Sequence, residues 1–175
     1  MPLALQALIE TAASLRHLDE IAASSPRLEA LVLGYADLAV SLGRSRAGAE
    51  DLEGWLPIQE TFLIAARAYG LQAIDGPWLR LDGIETLTRA ATRARDLGFD
   101  GKWAIHPAQV AALAATFTPT RDDVERAHAI LVALDAAGYA TGLGAIALDG
   151  EMIDEAVRRW ATRVLARSEA AGGER

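Results

Sequence analysis

Glu10, Asp37, Asp75 and His106 occupy one place in a repeated pattern, each following a short apolar run that reads as a buried strand. Leu5 to Ile9 hands over to Glu10; Leu31 to Leu33 reaches Gly34 and, three residues on, Asp37; Leu71 to Ile74 ends in Asp75; Trp103 to Ile105 ends in His106. Polar groups at the carboxyl ends of neighbouring parallel strands converge where such folds hold their ligands. Two carboxylates there, Glu10 and Asp37, suit a hard cation that keeps several waters, as Mg²⁺ does. The competing reading has Glu10 capping a helix and Asp37 as a solvated loop acid. Asp75 and His106 are candidates for fixing loops or orienting neighbours, with His106, beside Pro107, equally suited to a structural hydrogen bond.

The elements that must position these groups alternate. A helix follows Glu10, with Ala12, Leu15, Leu18, Ile21 and Ala22 at helical spacing, and stops near Ser24 to Pro26. After the strand to Gly34 comes a segment to Gly43, then a polar, glycine-bearing stretch from Gly43 to Gly54 of the length found in lids or binding loops. Helices are expected over Trp55 to Tyr69, stopped by Gly70, and over Ile84 to Leu97, stopped by Gly98. Another runs from Pro107 to about Thr116, and Thr120 with Asp123 forms a capping box for a helix to about Ala137. Four βα units make half of an eight-stranded (β/α)8 barrel, so the fold class is α/β, a partial TIM barrel. The half-barrel takes residues 1–137. A C-terminal lid segment takes 138–171, with a glycine-rich linker, a turn at Asp149 and Gly150 and a final helix; 172–175 are expected to be a disordered tail.

Composition narrows the function. The 175 residues are 51% hydrophobic and 23% charged, enough for a real core. A net charge of −7 argues against a nucleic-acid partner. The absence of cysteine excludes disulfides, thiolate metal sites and a cysteine nucleophile. Without an apolar run of membrane-spanning length or a charged leader, the expectation is a cytoplasmic protein with no membrane partner.

Six ordered segments, LIETAASLRHLDEIAA, LVLGYADLAVSLG, GLQAIDGP, LGFDGKWAIHPAQV, TFTPTRDDVERAHAIL and LDGEMIDEAV, together resemble the C-terminal part of the HpcH/HpaI aldolase and citrate lyase β-subunit superfamily. The IDGP and GKWAIHP segments in particular resemble malyl-CoA and β-methylmalyl-CoA lyases. The resemblance implies strands five to eight of the TIM barrel plus the family's C-terminal lid. It further implies Mg²⁺ (or Mn²⁺) on Glu10 and Asp37, substrate contacts at Ala36, Asp37, Asp75 and Pro77, and Asp154 as the catalytic general acid/base, brought to a neighbouring subunit. The implied reaction cleaves or forms a 3-hydroxyacyl-CoA from an acyl-CoA and an α-keto acid. As a local pattern, Asp154 before Glu155 and Ala156 also suits an N-cap.

The chain departs from the family in three ways. The half that carries the family's carboxylate-gripping arginine is not in it, Arg80 stands where an acid is expected, and Ala156 stands where proline is frequent. An open half-barrel implies a homo-oligomer or a partner carrying the other half. The alternative is an inactive assembly or binding module. Trp55, Trp78 and Trp103 read as packing residues, Arg158, Arg159 and Arg163 as a solvated face, and Lys102 as lying at the end of the barrel opposite the site.

Overall fold

The computed structural model describes residues 3–45, 53–137 and 145–172, and these fall into two compact units that divide between Phe117 and Thr118. The first holds a four-stranded parallel sheet in the order β1 (Leu5–Ile9), β2 (Leu28–Leu33), β3 (Gln72–Asp75), β4 (Gly101–Lys102). Its helices are α1 (Ala12–Arg16), α2 (Leu18–Ala22), α3 (Tyr35–Ser41), α4 (Leu56–Ala68), α5 (Ile84–Leu97) and α6 (Pro107–Phe117).

Sequential parallel strands joined by helices are what the alternating pattern dictates, because a parallel pair needs a crossover long enough for a helix. The central strand β2 is buried from Ala30 to Leu33, as a strand covered on both faces must be. Leu31, Leu33 and Leu38 pack with Phe62 and Ala66 of α4 and with Phe99, and the rings of Phe62 and Phe99 stack with centroids 5.9 Å apart. At the amino ends of the strands, Arg67 pairs with Asp100 at 2.7 Å and also donates to the carbonyls of Leu71 and Gly98. Gly70 and Gly98 take positive φ after α4 and α5, which ends each helix where the sequence places its stop.

Several expectations are adjusted. The first helix breaks at His17 into α1 and α2, because His17 leaves helical geometry at φ −112° and ψ 29°. The third element, α3, starts at Tyr35, so Asp37 lies in the first turn of a helix and not ahead of it. The fourth strand is Gly101–Lys102, and Trp103 to Ile105, expected as the strand, is exposed loop. After Trp103 donates to the Asp75 carbonyl at 2.9 Å, the Ile105 amide turns to the Gln109 side chain at 2.9 Å, and the ladder ends.

The second unit contains α7 (Arg121–Ala136), the antiparallel hairpin β5 (Ile146–Leu148) and β6 (Glu151–Ile153), and α8 (Glu155–Gly172). Ala127, Ile130 and Leu134 of α7 form a core with Ile153 and Ala161, so α7, expected within the half-barrel to residue 137, clusters with the C-terminal segment. The Thr120–Asp123 capping box is present. Asp149 and Gly150 both adopt positive φ, the conformation that a two-residue hairpin turn demands. Gly172, expected to open the tail, closes α8. Most of the expected Gly43–Gly54 loop, the 138–144 linker and residues 173–175 lie outside the described residues.

Candidate active site

The pairing register brings the strand ends level. Ile9 pairs with Leu33, Val32 with Ile74, and Asp75 with Lys102, so Glu10, the Gly34–Asp37 turn, the Asp75–Trp78 turn and the chain beyond Lys102 leave one edge of the sheet together.

Glu10 is half-buried and Asp37 exposed. The helix-capping reading of Glu10 does not hold, since Thr11 is the N-cap of α1 and forms its capping box with Ser14. Gly34 makes room for Glu10. A Cβ on Gly34 would sit 2.8 Å from Glu10 Cβ, while the Gly34 amide donates to the Ile9 carbonyl at 2.9 Å. Among the described residues, neither the Glu10 nor the Asp37 carboxylate makes a hydrogen bond or ion pair, and no third His, Asp or Glu joins them in a metal-binding group. Glu10 directly follows β1 and Asp37 lies in the first turn of α3 beyond β2. An open carboxylate is the kind of donor through which Mg²⁺ is held, one or two carboxylates serving while waters fill the rest of its shell.

Beside this pair lies a buried polar chain that the sequence does not announce. Lys102 Nζ donates to Asp75 Oδ2 and to the Gly76 carbonyl, both at 2.6 Å; the Tyr35 hydroxyl donates to Asp75 Oδ1; Gln59 Nε2 donates to the Tyr35 oxygen at 2.6 Å. Asp75 is 3% and Lys102 9% exposed. Burial and the Asp75 carboxylate push the Tyr35 hydroxyl well above the ordinary tyrosine range, so it remains a donor. The Tyr35 ring meets Trp55 edge-on at 5.0 Å, and Arg44 lies over the Trp55 ring at 4.1 Å. Lys102 therefore stands at the carboxyl end of the sheet, beside the candidate site, which corrects its expected place at the opposite end.

Asp75, expected to touch substrate, has both oxygens occupied from within the protein. Pro77 is held between two fixed carbonyls, with Lys102 on that of Gly76 and Gln109 Nε2 on that of Trp78 at 2.9 Å. Ala36 is exposed in the first turn of α3. His106 is exposed, and its Nδ1 accepts from the Ala108 amide at 3.2 Å, a local acceptor bond at the start of α6. Arg80 pairs with Asp82, and that hydrogen bond and charge lower the Asp82 carboxyl below its ordinary range.

In the second unit Asp154 is the N-cap of α8: its Oδ1 accepts from the amides of Ala156 at 2.9 Å and Val157 at 3.2 Å. Both bonds fall on one oxygen, so among the described residues Oδ2 is open. Arg158 pairs with Asp135, and Arg159 with Glu155, leaving these two arginines engaged within the unit.

Comparison with known proteins places this geometry. Residues 2–107 match the HpcH/HpaI aldolase/citrate lyase family profile. The chain is 37% identical to the L-malyl-CoA/beta-methylmalyl-CoA lyase of Cereibacter sphaeroides over 96% of its own length and 57% of that protein. It is likewise 37% identical to the (3S)-malyl-CoA thioesterase of the same species, over 96% of this chain and 58% of that one. The structure superposes on the CitE protein of Mycobacterium tuberculosis in complex with magnesium, acetoacetate and coenzyme A, with a TM-score of 0.78 and 31% identity. The match covers 96% of this chain and 62% of CitE. The sheet and its helices thus align with part of a larger barrel, and the chain spans somewhat over half the length of the curated relatives it matches. No helix among the described residues is long and apolar enough to cross a membrane.

Proposed function

The chain belongs to the HpcH/HpaI aldolase/citrate lyase family, and from that membership we propose that it supplies the metal-binding half of a magnesium-dependent carbon–carbon lyase acting on CoA esters. Its substrate would be a 3-hydroxyacyl-CoA such as malyl-CoA, citramalyl-CoA or citryl-CoA, split into an acyl-CoA and an α-keto acid. The observation that carries this reading is the pair Glu10 and Asp37, set at the carboxyl ends of neighbouring strands with Gly34 clearing the space.

In this reading Glu10 and Asp37 hold Mg²⁺, which when bound supplies Lewis-acid polarisation of the oxygen on the carbon that becomes the keto carbon. The carboxylates themselves fix position; they are too open to exclude water alone. Ala36, one residue before Asp37, offers a small surface against which substrate can lie. Pro77, pinned by Lys102 and Gln109, shapes the neighbouring wall. Cleavage breaks the bond between the thioester α-carbon and the hydroxyl-bearing carbon; the hydroxyl gives up its proton as that carbon becomes the keto carbon, and the α-carbon takes a proton in exchange. Asp154 is the group assigned to move that proton, through the Oδ2 that its capping role leaves open. Completion of the barrel by a second polypeptide or a further segment, self-association and a cytoplasmic location belong to the same reading.

A second reading has its own support, because a malyl-CoA thioesterase is as similar to this chain as the lyase is. Hydrolysis would break the thioester and release free CoA. One experiment separates the two: incubate the protein with malyl-CoA and Mg²⁺, with and without EDTA, and resolve the products. Acetyl-CoA with glyoxylate supports the lyase; free CoA with malate supports the thioesterase. Binding of malyl-CoA with neither product, by this chain alone and together with a polypeptide that carries the other half of the barrel, would overturn both in favour of a catalytically silent binding module.

A further inference from the structure

We propose that Lys102, Asp75, Tyr35 and Gln59 form a positioning chain that sets where Asp37 stands relative to Glu10. The inference rests on the reading of Glu10 and Asp37 as cation ligands and adds four residues to it. The links are continuous: Lys102 on β4 reaches Asp75 at the end of β3, Asp75 reaches Tyr35 at the start of α3, and Gln59 on α4 fixes the far side of the Tyr35 oxygen. Asp37 lies two residues beyond Tyr35 on the same helix.

That helix has seven residues, too short to hold a direction by its own backbone bonds. Its orientation comes from what anchors it. Leu38 and Ala39 supply apolar burial, which sets depth but is non-directional. Two side chains give direction: Ser41 at the far end accepts from the Ala12 amide at 2.9 Å, and the Tyr35 hydroxyl, fixed by one donor bond and one acceptor bond, anchors the end that carries Asp37. Gly76 closes the ring in from the side, since a Cβ there would lie 2.5 Å from Tyr35 Cδ2 and 2.1 Å from the Leu33 carbonyl oxygen. Ring, helix start and the Asp75–Trp78 turn are thus packed closely against one another.

A role in stability alone accounts poorly for this chain. A buried ion pair is often no better for stability than apolar side chains filling the same volume. Arg67 and Asp100 already tie the other end of the sheet. What the buried pair adds at the carboxyl end is direction, where an open carboxylate stands two residues beyond Tyr35 in the same turn of helix. Groups behind a metal ligand commonly change its affinity by about tenfold or more when removed.

Mn²⁺ alone is the probe, titrated into the full chain by calorimetry and by water-proton relaxation, with melting followed by circular dichroism. Tyr35→Phe removes one oxygen and keeps the ring. The expected result is a cooperative melt with Mn²⁺ binding weakened about fivefold or more, while Arg67→Ala lowers the melting temperature and leaves Mn²⁺ affinity unchanged. Lys102→Met should weaken binding in the same sense; if it does not fold, Tyr35→Phe decides. Unaltered affinity in Tyr35→Phe, with binding lost in Asp37→Asn, overturns the positioning chain and spares the metal reading. Unaltered affinity in Asp37→Asn, or no Mn²⁺ binding by the unmodified chain, overturns both.

Discussion

Gly34 and Glu10 are packed so closely that a methyl group on the first would meet the Cβ of the second at 2.8 Å and Leu8 Cδ1 at 3.3 Å. The glycine is therefore what allows the end of β2 to pass beside the residue that leaves β1. In Gly34→Ala one strand end must shift, and neither neighbour is the flexible tip of a long side chain at the closer contact. Overpacking of this kind costs about 1–3 kcal/mol. We expect a stability loss in that range by denaturant titration, together with weaker Mn²⁺ binding. Wild-type affinity in Gly34→Ala would show that the spacing of Glu10 from β2 does not matter to the cation.

Lys102 and Arg80 offer a test of which ion pairs matter. Removing one partner of a buried pair leaves the other charge stranded and costs about 3–5 kcal/mol, whereas an exposed pair contributes about 0–1 kcal/mol. Lys102→Met is expected to fall in the first range and Arg80→Ala near zero, by urea unfolding with unchanged slope. Arg80 pairs with Asp82 and both side chains are exposed, so its departure from the family's acid at that position should be silent in stability. A large loss in Arg80→Ala would contradict the exposed geometry.

These two residues also show what was legible beforehand. The apolar run ending at Leu33 marked its strand because a strand covered on both faces is apolar where it is buried. The run ending at Ile9 marked β1 although Ile9 alone of that strand is buried and Leu5 and Leu8 are exposed. The helix stops at Gly70 and Gly98 were legible because positive φ selects glycine. The fourth strand was misplaced for the same reason: Trp103, Ala104 and Ile105 are apolar, yet they are loop, and Trp103 is 43% exposed. That shift carried Lys102 to the wrong end of the sheet. Tyr35, Gln59 and Gln109 gave no signal, since their hydrogen bonds join residues 24 to 40 positions apart (Tyr35 with Gln59 and Asp75) or tie a helix to a distant loop (Gln109 of α6 to Trp78). Pairings of that kind exist only once the sheet has formed.

Tyr35 should make stability fall in alkali. Burial first, and the Asp75 carboxylate second, raise its hydroxyl above the ordinary range. Below about pH 10 the group is protonated in both folded and unfolded chains and adds no slope. Above that, the unfolded chain loses its proton while folded Tyr35 keeps it. The unfolded state then binds fewer protons, so stability declines by up to about 1.4 kcal/mol per pH unit until the folded group also ionises. Unfolding of the metal-free protein between pH 9 and 11 should show this decline, and Tyr35→Phe should flatten it. An equal slope in both proteins would mean that other groups produce it.

Asp154 can be made to answer two questions separately, because asparagine is as good an N-cap as aspartate but cannot exchange a proton. Asp154→Asn should keep the two bonds to Ala156 and Val157 and melt within about 0.5 kcal/mol of the unmodified chain, whereas Asp154→Ala should lose about 1 kcal/mol. If Asp154 moves the proton, both variants lose turnover, although only one loses the cap. Whether it serves its own subunit or a neighbour then follows from mixing. An Asp154→Asn chain and a Glu10→Gln chain, each inactive, are combined under conditions where mixed oligomers are shown to form by native mass spectrometry. Restored activity requires a site that joins an intact Glu10 from one chain with an intact Asp154 from the other. Mixed oligomers that stay inactive, beside an unmodified protein that works, would assign Asp154 to its own chain; full turnover in Asp154→Asn would leave it the helix cap and nothing more.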